Sequence, residues 1–96
     1  MKVENMQNEK GNVIPNQFSI VDDDGNRYFQ SYNSIIVKIG AYLPTEIFPC
    51  VVLLDEKYYN YSKTTAKYRN IFLNEDTKTV ERKIKTGEYK LVNLNG

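Results

Sequence analysis

The sequence predicts an α+β fold in which a small antiparallel sheet of about four to five strands packs against two helices. Short segments that alternate apolar with polar residues are separated by turn-forming residues, which is typical of antiparallel strands. Two later segments, residues 62–74 and 77–86, repeat their apolar residues at helical spacing instead. A chain of 96 residues has room for one modest core. We therefore expect a single α+β domain at residues 17–96 behind a leader at residues 1–16.

The leader is polar and shows no sustained apolar period. It is rich in Asn, Glu and Lys, and its few apolar residues are scattered. Such a segment buries too little apolar surface to offset the entropy lost on ordering. We therefore predict a flexible polar leader over residues 1–16. It also lacks the continuous apolar stretch of a signal peptide.

A β-hairpin is predicted where the leader ends. Residues 17–21 alternate apolar with polar side chains, and residues 27–32 return to β-type composition. Between them the sequence DDDGN predicts a turn in which Gly25 takes a positive φ.

The next apolar run, Ser34–Ile39, is β-branched and nearly continuous, so we favour a buried strand. The alternative is a short helix that Asn33 caps and Gly40 ends. Residues 41–49 contain two prolines and are predicted to form a surface excursion. Residues 50–54, CVVLL, are apolar throughout and are predicted to form the most central strand.

Ser62 can accept a hydrogen bond from the first turn of a helix, so a helix is predicted to begin after Tyr61 and to end near Leu73 or Asn74. Helical spacing places four residues on the face that we expect to be buried, with Thr65 beside them. These four are Thr64, Tyr68, Ile71 and Phe72.

A second helix is predicted at residues 77–86. Acidic residues precede it, basic residues lie in its last turn, and Gly87 follows it, as the helix dipole and the C-cap geometry prefer. Val80 and Ile84 are its expected buried pair. Residues 89–94 then alternate as a closing strand, which we expect to lie beside an earlier strand.

The composition argues against catalysis. The chain has no histidine, which removes the usual general base and the commonest metal ligand, and its glycines do not form a phosphate-binding loop. Its single cysteine, Cys50, lies in an apolar run and is expected to be a small buried hydrophobe. We therefore expect no enzymatic activity, no cofactor and no metal ion. A lone cysteine also fits a reducing compartment, and no apolar segment is long enough for a membrane span, so a soluble cytoplasmic protein is expected.

Aromatic side chains are the main candidates for a binding surface. Eight tyrosines and four phenylalanines are more aromatic surface than so small a core can hide. The segment before the first helix contains three of the tyrosines, and residues 40–49 add two further aromatic residues. The candidate protein-binding residues are therefore Tyr42, Phe48, Tyr58, Tyr59 and Tyr61.

Basic residues supply an alternative. Residues 57–90 contain nine lysines or arginines and four acidic residues, so the C-terminal half is the basic half. On the first helix the cations do not share one stripe; Lys67 and Arg69 are predicted on opposite solvated flanks. The candidate nucleic-acid-binding residues are Lys57, Lys63, Lys67, Arg69, Lys83 and Lys85.

Three motifs carry a resemblance to a known group of proteins: an aromatic-Gln-Ser-Tyr strand at residues 29–32, the helix start YSKTTAKY at residues 61–68, and KTGEY at residues 85–89. With them the chain resembles a family of small uncharacterised proteins encoded by bacteriophages and prophages, chiefly of Gram-positive and gut bacteria. Residues 40–49 look like an insertion relative to that family.

The resemblance implies an origin and a size class, and small phage proteins of this size often act by binding. It therefore implies a location in the cytoplasm of a bacterial host cell. The leading hypothesis is a non-enzymatic protein-binding accessory protein, an inhibitor of a host or defence factor in the manner of anti-CRISPR proteins. A nucleic-acid-binding protein is the alternative. Self-association as a homodimer through an exposed strand edge is a third hypothesis, and otherwise the chain is expected to be a monomer that does not bind membranes.

Overall fold

The computed structural model describes residues 1–40 and 51–96, which form six strands and two helices. The strands are β1 (Lys2–Gln7), β2 (Val13–Val21), β3 (Arg27–Ser31), β4 (Ser34–Ile39), β5 (Val52–Asp55) and β6 (Tyr89–Val92). The helices are α1 (Lys63–Leu73) and α2 (Thr77–Thr86), and both follow β5. The α+β class is confirmed.

The strands lie in the sheet in the order in which they occur along the chain. Each pair from β1 to β5 is antiparallel, whereas β5 and β6 are parallel because α1 and α2 return the chain to the end of the sheet from which β5 started. The sheet is therefore mixed and has six strands, rather than the predicted four to five antiparallel ones. The prediction that residues 50–54 form the most central strand is wrong, since β5 lies next to the edge strand and β3 and β4 are central.

The prediction of a flexible leader over residues 1–16 is wrong. β1 pairs with β2, with Val3 opposite Ile20 and Asn5 opposite Phe18. Backbone hydrogen bonds hold this edge hairpin, so it needs few apolar side chains of its own. Met6 and Ile14 nevertheless pack against the core.

The second hairpin is confirmed. β2 and β3 pair in register, with Ile20 opposite Tyr28, and Gly25 takes a φ of 86° in the turn between them. The carboxylate of Asp22 accepts hydrogen bonds from the backbone N–H groups of Asp24 and Asn26, at 3.0 and 2.9 Å. The next segment, Ser34–Ile39, is a strand and not a short helix.

Both helices begin and end where their caps predict. Ser62 caps α1, and its hydroxyl accepts from the N–H of Thr65, while Asn74 ends the helix with a φ of 57°. Asp76 caps α2 in the same way, and Gly87 follows it with a φ of 85°. At both C-termini the residue in the αL conformation donates its backbone N–H to carbonyl oxygens of the last turn.

The buried face of α1 differs from the predicted one. Thr65, Tyr68 and Arg69 are buried, whereas Thr64 is exposed and Ile71 is 52% exposed. The stripe is thus rotated toward Arg69, and Phe72 completes it by stacking on Phe29 of β3 at 5.8 Å. The core between the sheet and the helices is formed by Phe29, Ile36, Val37, Leu54, Tyr68, Val80 and Tyr89.

Candidate functional site

Three tyrosines surround an open groove of about 550 Å³ between the β3–β4 turn and the N-terminus of α1. Tyr32 belongs to the turn, and Tyr58 and Tyr61 belong to the segment that leads into α1. Hydroxyl and amide groups form most of the remaining lining. We call this site the tyrosine groove; its other lining residues are Ser31, Asn33, Ser34, Ile36, Ser62, Thr64 and Thr65.

The β3–β4 turn presents Tyr32. Only Tyr32 and Asn33 connect the two strands, and Tyr32 has a φ of 55°, which few residues with a side chain adopt. Its backbone N–H donates to the carbonyl oxygen of Asn16 at 2.7 Å, which ties the turn to β2. The side chain is 52% exposed at the mouth of the groove.

Tyr58 and Tyr61 form the opposite wall. Their rings meet edge to face, with centroids 5.7 Å apart and an interplanar angle of 73°. Tyr58 packs partly against the core, whereas Tyr61 is 69% exposed. One wall tyrosine is therefore anchored by the core, and the other is available to a partner.

Asp55 holds the segment that carries these tyrosines. Its carboxylate accepts from the backbone N–H groups of Tyr58, Lys57 and Leu94 at 2.8, 3.1 and 2.8 Å. Burial by itself raises the pKa of Asp55, but these hydrogen bonds and one from Asn95 outweigh it, so the pKa lies below its ordinary value. This buried carboxylate is thus a structural anchor.

A pair of hydroxyl groups connects the sheet to α1 beside the groove. Ser31 Oγ lies 3.0 Å from Thr65 Oγ1, and both residues are buried. Ser62 Oγ accepts from the backbone N–H of Thr65 and donates to Thr65 Oγ1, both at 3.1 Å. The cap of α1 and the wall of the groove are therefore one hydrogen-bonded unit.

The groove is lined by groups that suit binding. Tyrosine combines an apolar ring with a polar tip, and hydroxyl groups both donate and accept, which suits contact with a polypeptide segment. Within residues 1–40 and 51–96, no three His, Cys, Asp or Glu side chains are placed to hold a metal ion.

The structure brings together only some of the predicted protein-binding residues. Tyr58 and Tyr61 share the groove. Tyr59 does not line it; it is partly buried against the core, and its ring centroid lies 5.9 Å from the guanidinium carbon of Arg69. Tyr42 and Phe48 lie outside the described residues.

Sequence reasoning missed Tyr32, which it assigned to the end of a strand. The signal was present, because two β-type runs separated by two residues, here Tyr32 and Asn33, predict a hairpin turn. A tyrosine at such a turn lies at the end of the strands, where it is available for contact.

The prediction that Arg69 lies on a solvated flank is wrong, since its side chain is fully buried. Its guanidinium donates to the carbonyl oxygen of Tyr59 at 2.7 Å and to Asn70 Oδ1 at 2.9 and 3.1 Å. Burial lowers the pKa of this guanidinium. Arg69 is therefore not available to nucleic acid.

The other predicted nucleic-acid-binding residues belong to several elements. Lys83 pairs with Glu75 and lies 3.9 Å from Glu88. The remaining lysines are exposed but spread over the segment before α1, α1 itself and α2. They are Lys57, Lys63, Lys67 and Lys85.

Neither α1 nor α2, the helices of the described part of the chain, is long and apolar enough to cross a membrane.

Comparisons with known proteins identify one family. No curated protein matches the chain, and no solved structure matches it. The sequence profile of a family of unknown function, DUF8033, matches residues 1–88. Because this match spans most of the sequence, the chain belongs to the family of unknown function DUF8033.

Proposed function

We propose that this chain is a non-enzymatic protein-binding accessory protein whose docking site is the tyrosine groove. The observation that carries the proposal is the meeting of Tyr32, Tyr58 and Tyr61 around one concave, hydroxyl-lined site. Exposed tyrosines beside polar groups are typical of protein interfaces. Asp55 and Arg69, whose side chains are buried, hold the segment that carries Tyr58 and Tyr61 and so fix one wall of the groove.

The partner that we propose is a host or defence protein, and the role is inhibition. Both follow from the resemblance to phage-encoded proteins. The exposed lysines Lys57 and Lys63 flank the segment that carries Tyr58 and Tyr61, so the partner segment is expected to be acidic as well as aromatic or apolar.

The test is affinity capture from a lysate of the cell that carries the gene, comparing the wild type with a Tyr32→Ala/Tyr61→Ala double variant. Both side chains are largely exposed, so the variant should fold. We expect the captured partner to be lost, because the mouth of the groove loses both of its exposed rings.

Ile71→Ala provides the matched control. Ile71 is 52% exposed on α1 but does not line the groove, so this variant should capture the same partner as the wild type. Equal capture by the double variant and the wild type would contradict the proposed site. If labelled single-stranded oligonucleotides bind instead, with an affinity that falls steeply with salt, the alternative of nucleic-acid binding through Lys57, Lys63 and Lys67 is favoured.

A further inference from the structure

Both helices pack on one face of the sheet, and the opposite face is the subject of this proposal. Side chains alternate between the two faces of a strand. Phe29 and Leu54 point toward the helices, where they belong to the core. Their neighbours Tyr28 and Leu53 therefore point away from the helices, as does Lys38, which lies opposite both of them in the sheet.

The strand register aligns six side chains across this face. The pairs are Val3 with Ile20, Ile20 with Tyr28, Tyr28 with Lys38, Lys38 with Leu53, and Leu53 with Lys90. The row crosses all six strands, so at roughly 4.8 Å between neighbouring strands it is about 24 Å long. We call it the cross-sheet row.

A second, shorter row runs beside the first, with Phe18 opposite Gln30 and Gln30 opposite Ile35. Together the two rows form a mainly apolar surface. Its apolar side chains are partly exposed, Val3 by 55%, and none belongs to the core cluster of the described residues. No helix of the described chain packs on it. Apolar side chains that stay partly exposed on a sheet face without a packed helix are typical of an interaction site.

The two rows carry two positive charges. Lys38 and Lys90 lie in the cross-sheet row, and neither forms an ion pair with any residue that the structure describes. Neither row contains a carboxylate, and the carboxylate of Asp22, which contacts the row, is engaged by the hydroxyl of Tyr28 at 2.9 Å. Packing two copies of this face together would bring like charges into one apolar interface, which is unfavourable. The complementary surface is therefore apolar and acidic, and does not belong to a second copy of this chain.

We propose that the face carrying the cross-sheet row docks an amphipathic helix of a partner protein whose apolar stripe is flanked by carboxylates. A row of about 24 Å matches roughly 16 residues of helix at 1.5 Å per residue. Lys38 and Lys90 are two strands apart, about 10 Å, which is close to the rise of about seven helical residues. Carboxylates seven residues apart along one side of the stripe therefore meet both lysines. This site is separate from the tyrosine groove and does not rest on the function proposed for it.

A single-stranded nucleic acid fits this face less well. Bases need free aromatic faces on which to stack. Tyr28 has Lys38 Nζ 5.8 Å from its ring centroid, and its hydroxyl donates to the carboxylate of Asp22 at 2.9 Å. Phe18 is the other aromatic residue of the two rows, and a single ring does not stack successive bases. The aliphatic side chains of Ile20 and Leu53 offer no stacking surface, but they do suit the apolar stripe of a helix.

The test uses two fluorescein-labelled helical peptides of about 16 residues, the length that the row accommodates. Both have the same leucine stripe, and the flanking positions, seven residues apart, hold glutamate in one peptide and lysine in the other. Fluorescence anisotropy measures their binding to the full chain. We expect the glutamate peptide to bind at least tenfold more tightly than the lysine peptide.

The charge-reversal variant Lys38→Glu/Lys90→Glu should weaken binding of the glutamate peptide at least tenfold and strengthen binding of the lysine peptide. Circular dichroism checks that it is folded. The control is Lys85→Glu, an exposed reversal on α2, on the other side of the sheet, which should bind both peptides as the wild type does. The single variant Lys90→Glu lies on an edge strand and is a milder change. It should weaken binding of the glutamate peptide, but by less than the double variant does.

Four results would overturn the proposal. The first is no binding of the glutamate peptide by the wild type at millimolar protein, and the second is equal affinity for the two peptides. The third is that the wild type binds an oligonucleotide and the charge-reversal variant Lys38→Glu/Lys90→Glu does not. That result would assign the face to nucleic acid. The fourth is a wild-type dimer in sedimentation that Ile20→Asp converts to a monomer, which would assign the face to self-association.

Discussion

Arg69 keeps a charged guanidinium inside the domain with neutral oxygen atoms as its partners. It donates to the carbonyl oxygen of Tyr59 and to the side chain of Asn70, and thereby ties the segment before α1 to the helix. Helical spacing alone could not predict this, because a long cation beside an apolar stripe is normally solvated at its tip. What buries Arg69 is the tertiary position of the Tyr59 carbonyl, which a local pattern does not contain.

Replacing Arg69 by methionine should destabilise the fold by about 2–4 kcal/mol, because the carbonyl of Tyr59 and the amide of Asn70 lose a charged donor in a buried place. Urea unfolding followed by circular dichroism measures the loss. Lys67→Met, an exposed change of the same chemistry on the same helix, should stay within about 0.5 kcal/mol of the wild type. A similar free energy of unfolding for the two variants would show that the buried hydrogen bonds of Arg69 contribute little.

At the scale of elements, the caps and turns were the most predictable features. Ser62, Asp76 and Gly87 mark helix boundaries through their own local chemistry, and the structure places those boundaries where the sequence predicted. The position of β5 next to the edge was not predictable from its apolar run, because strand order depends on which strands pair. Pairing is a contact between distant segments.

The edge strand β1 was missed for a related reason. A strand that is held mainly by its backbone ladder carries little hydrophobic signal, and the β1 residues Lys2 and Glu4 are charged, as is common on sheet edges. Composition therefore suggested a flexible segment where the structure has a hairpin.

Removing residues 1–11 should lower the midpoint of thermal unfolding by about 5–10 °C, because the partial burial of Met6 and the ladder to β2 are worth about 1–2 kcal/mol. It should also promote self-association, since β2 becomes an unprotected edge. Differential scanning calorimetry and light scattering measure the two effects.

Met6→Ala in the full chain removes the apolar contact but keeps the strand, so it should lower the midpoint without self-association. A truncated chain that melts like the wild type and stays monomeric would mean that β1 contributes nothing to the fold.

At the scale of the whole molecule, residues 1–40 and 51–96 present two surfaces at different places on the sheet besides the core. The tyrosine groove lies at one end of the helix-covered face, and the cross-sheet row crosses the opposite face. The aromatic surplus in the sequence pointed to the first, through Tyr58 and Tyr61. It could not point to the second, because the second exists only once the register places Ile20, Lys38 and Leu53 side by side.

Three carboxylates make the stability of the whole domain depend on pH. Hydrogen bonds from the side chain and backbone of Asn26 lower the pKa of Asp22 to about 2, against a smaller effect of burial that raises it. Hydrogen bonds from Thr79 lower the pKa of Asp76. In Asp55 the hydrogen bonds from Leu94 and Tyr58 prevail over burial, which acts to raise its pKa.

Because each of these pKa values is lower in the folded chain, the unfolded chain binds the protons first as the pH falls. The stabilisation is therefore complete above about pH 5 and is lost as the pH falls below the ordinary value of 3.8, in the case of Asp22 toward about 2. The free energy of unfolding, measured with urea at several pH values, should be level from pH 7 to pH 5 and decline below pH 4.

Asp55→Asn should be less stable at neutral pH and show a shallower decline, since one of the titrating carboxylates is gone. Asp24→Asn removes an exposed carboxylate of the β2–β3 turn and should keep the wild-type slope. An undiminished slope in Asp55→Asn would place the acid sensitivity elsewhere in the molecule.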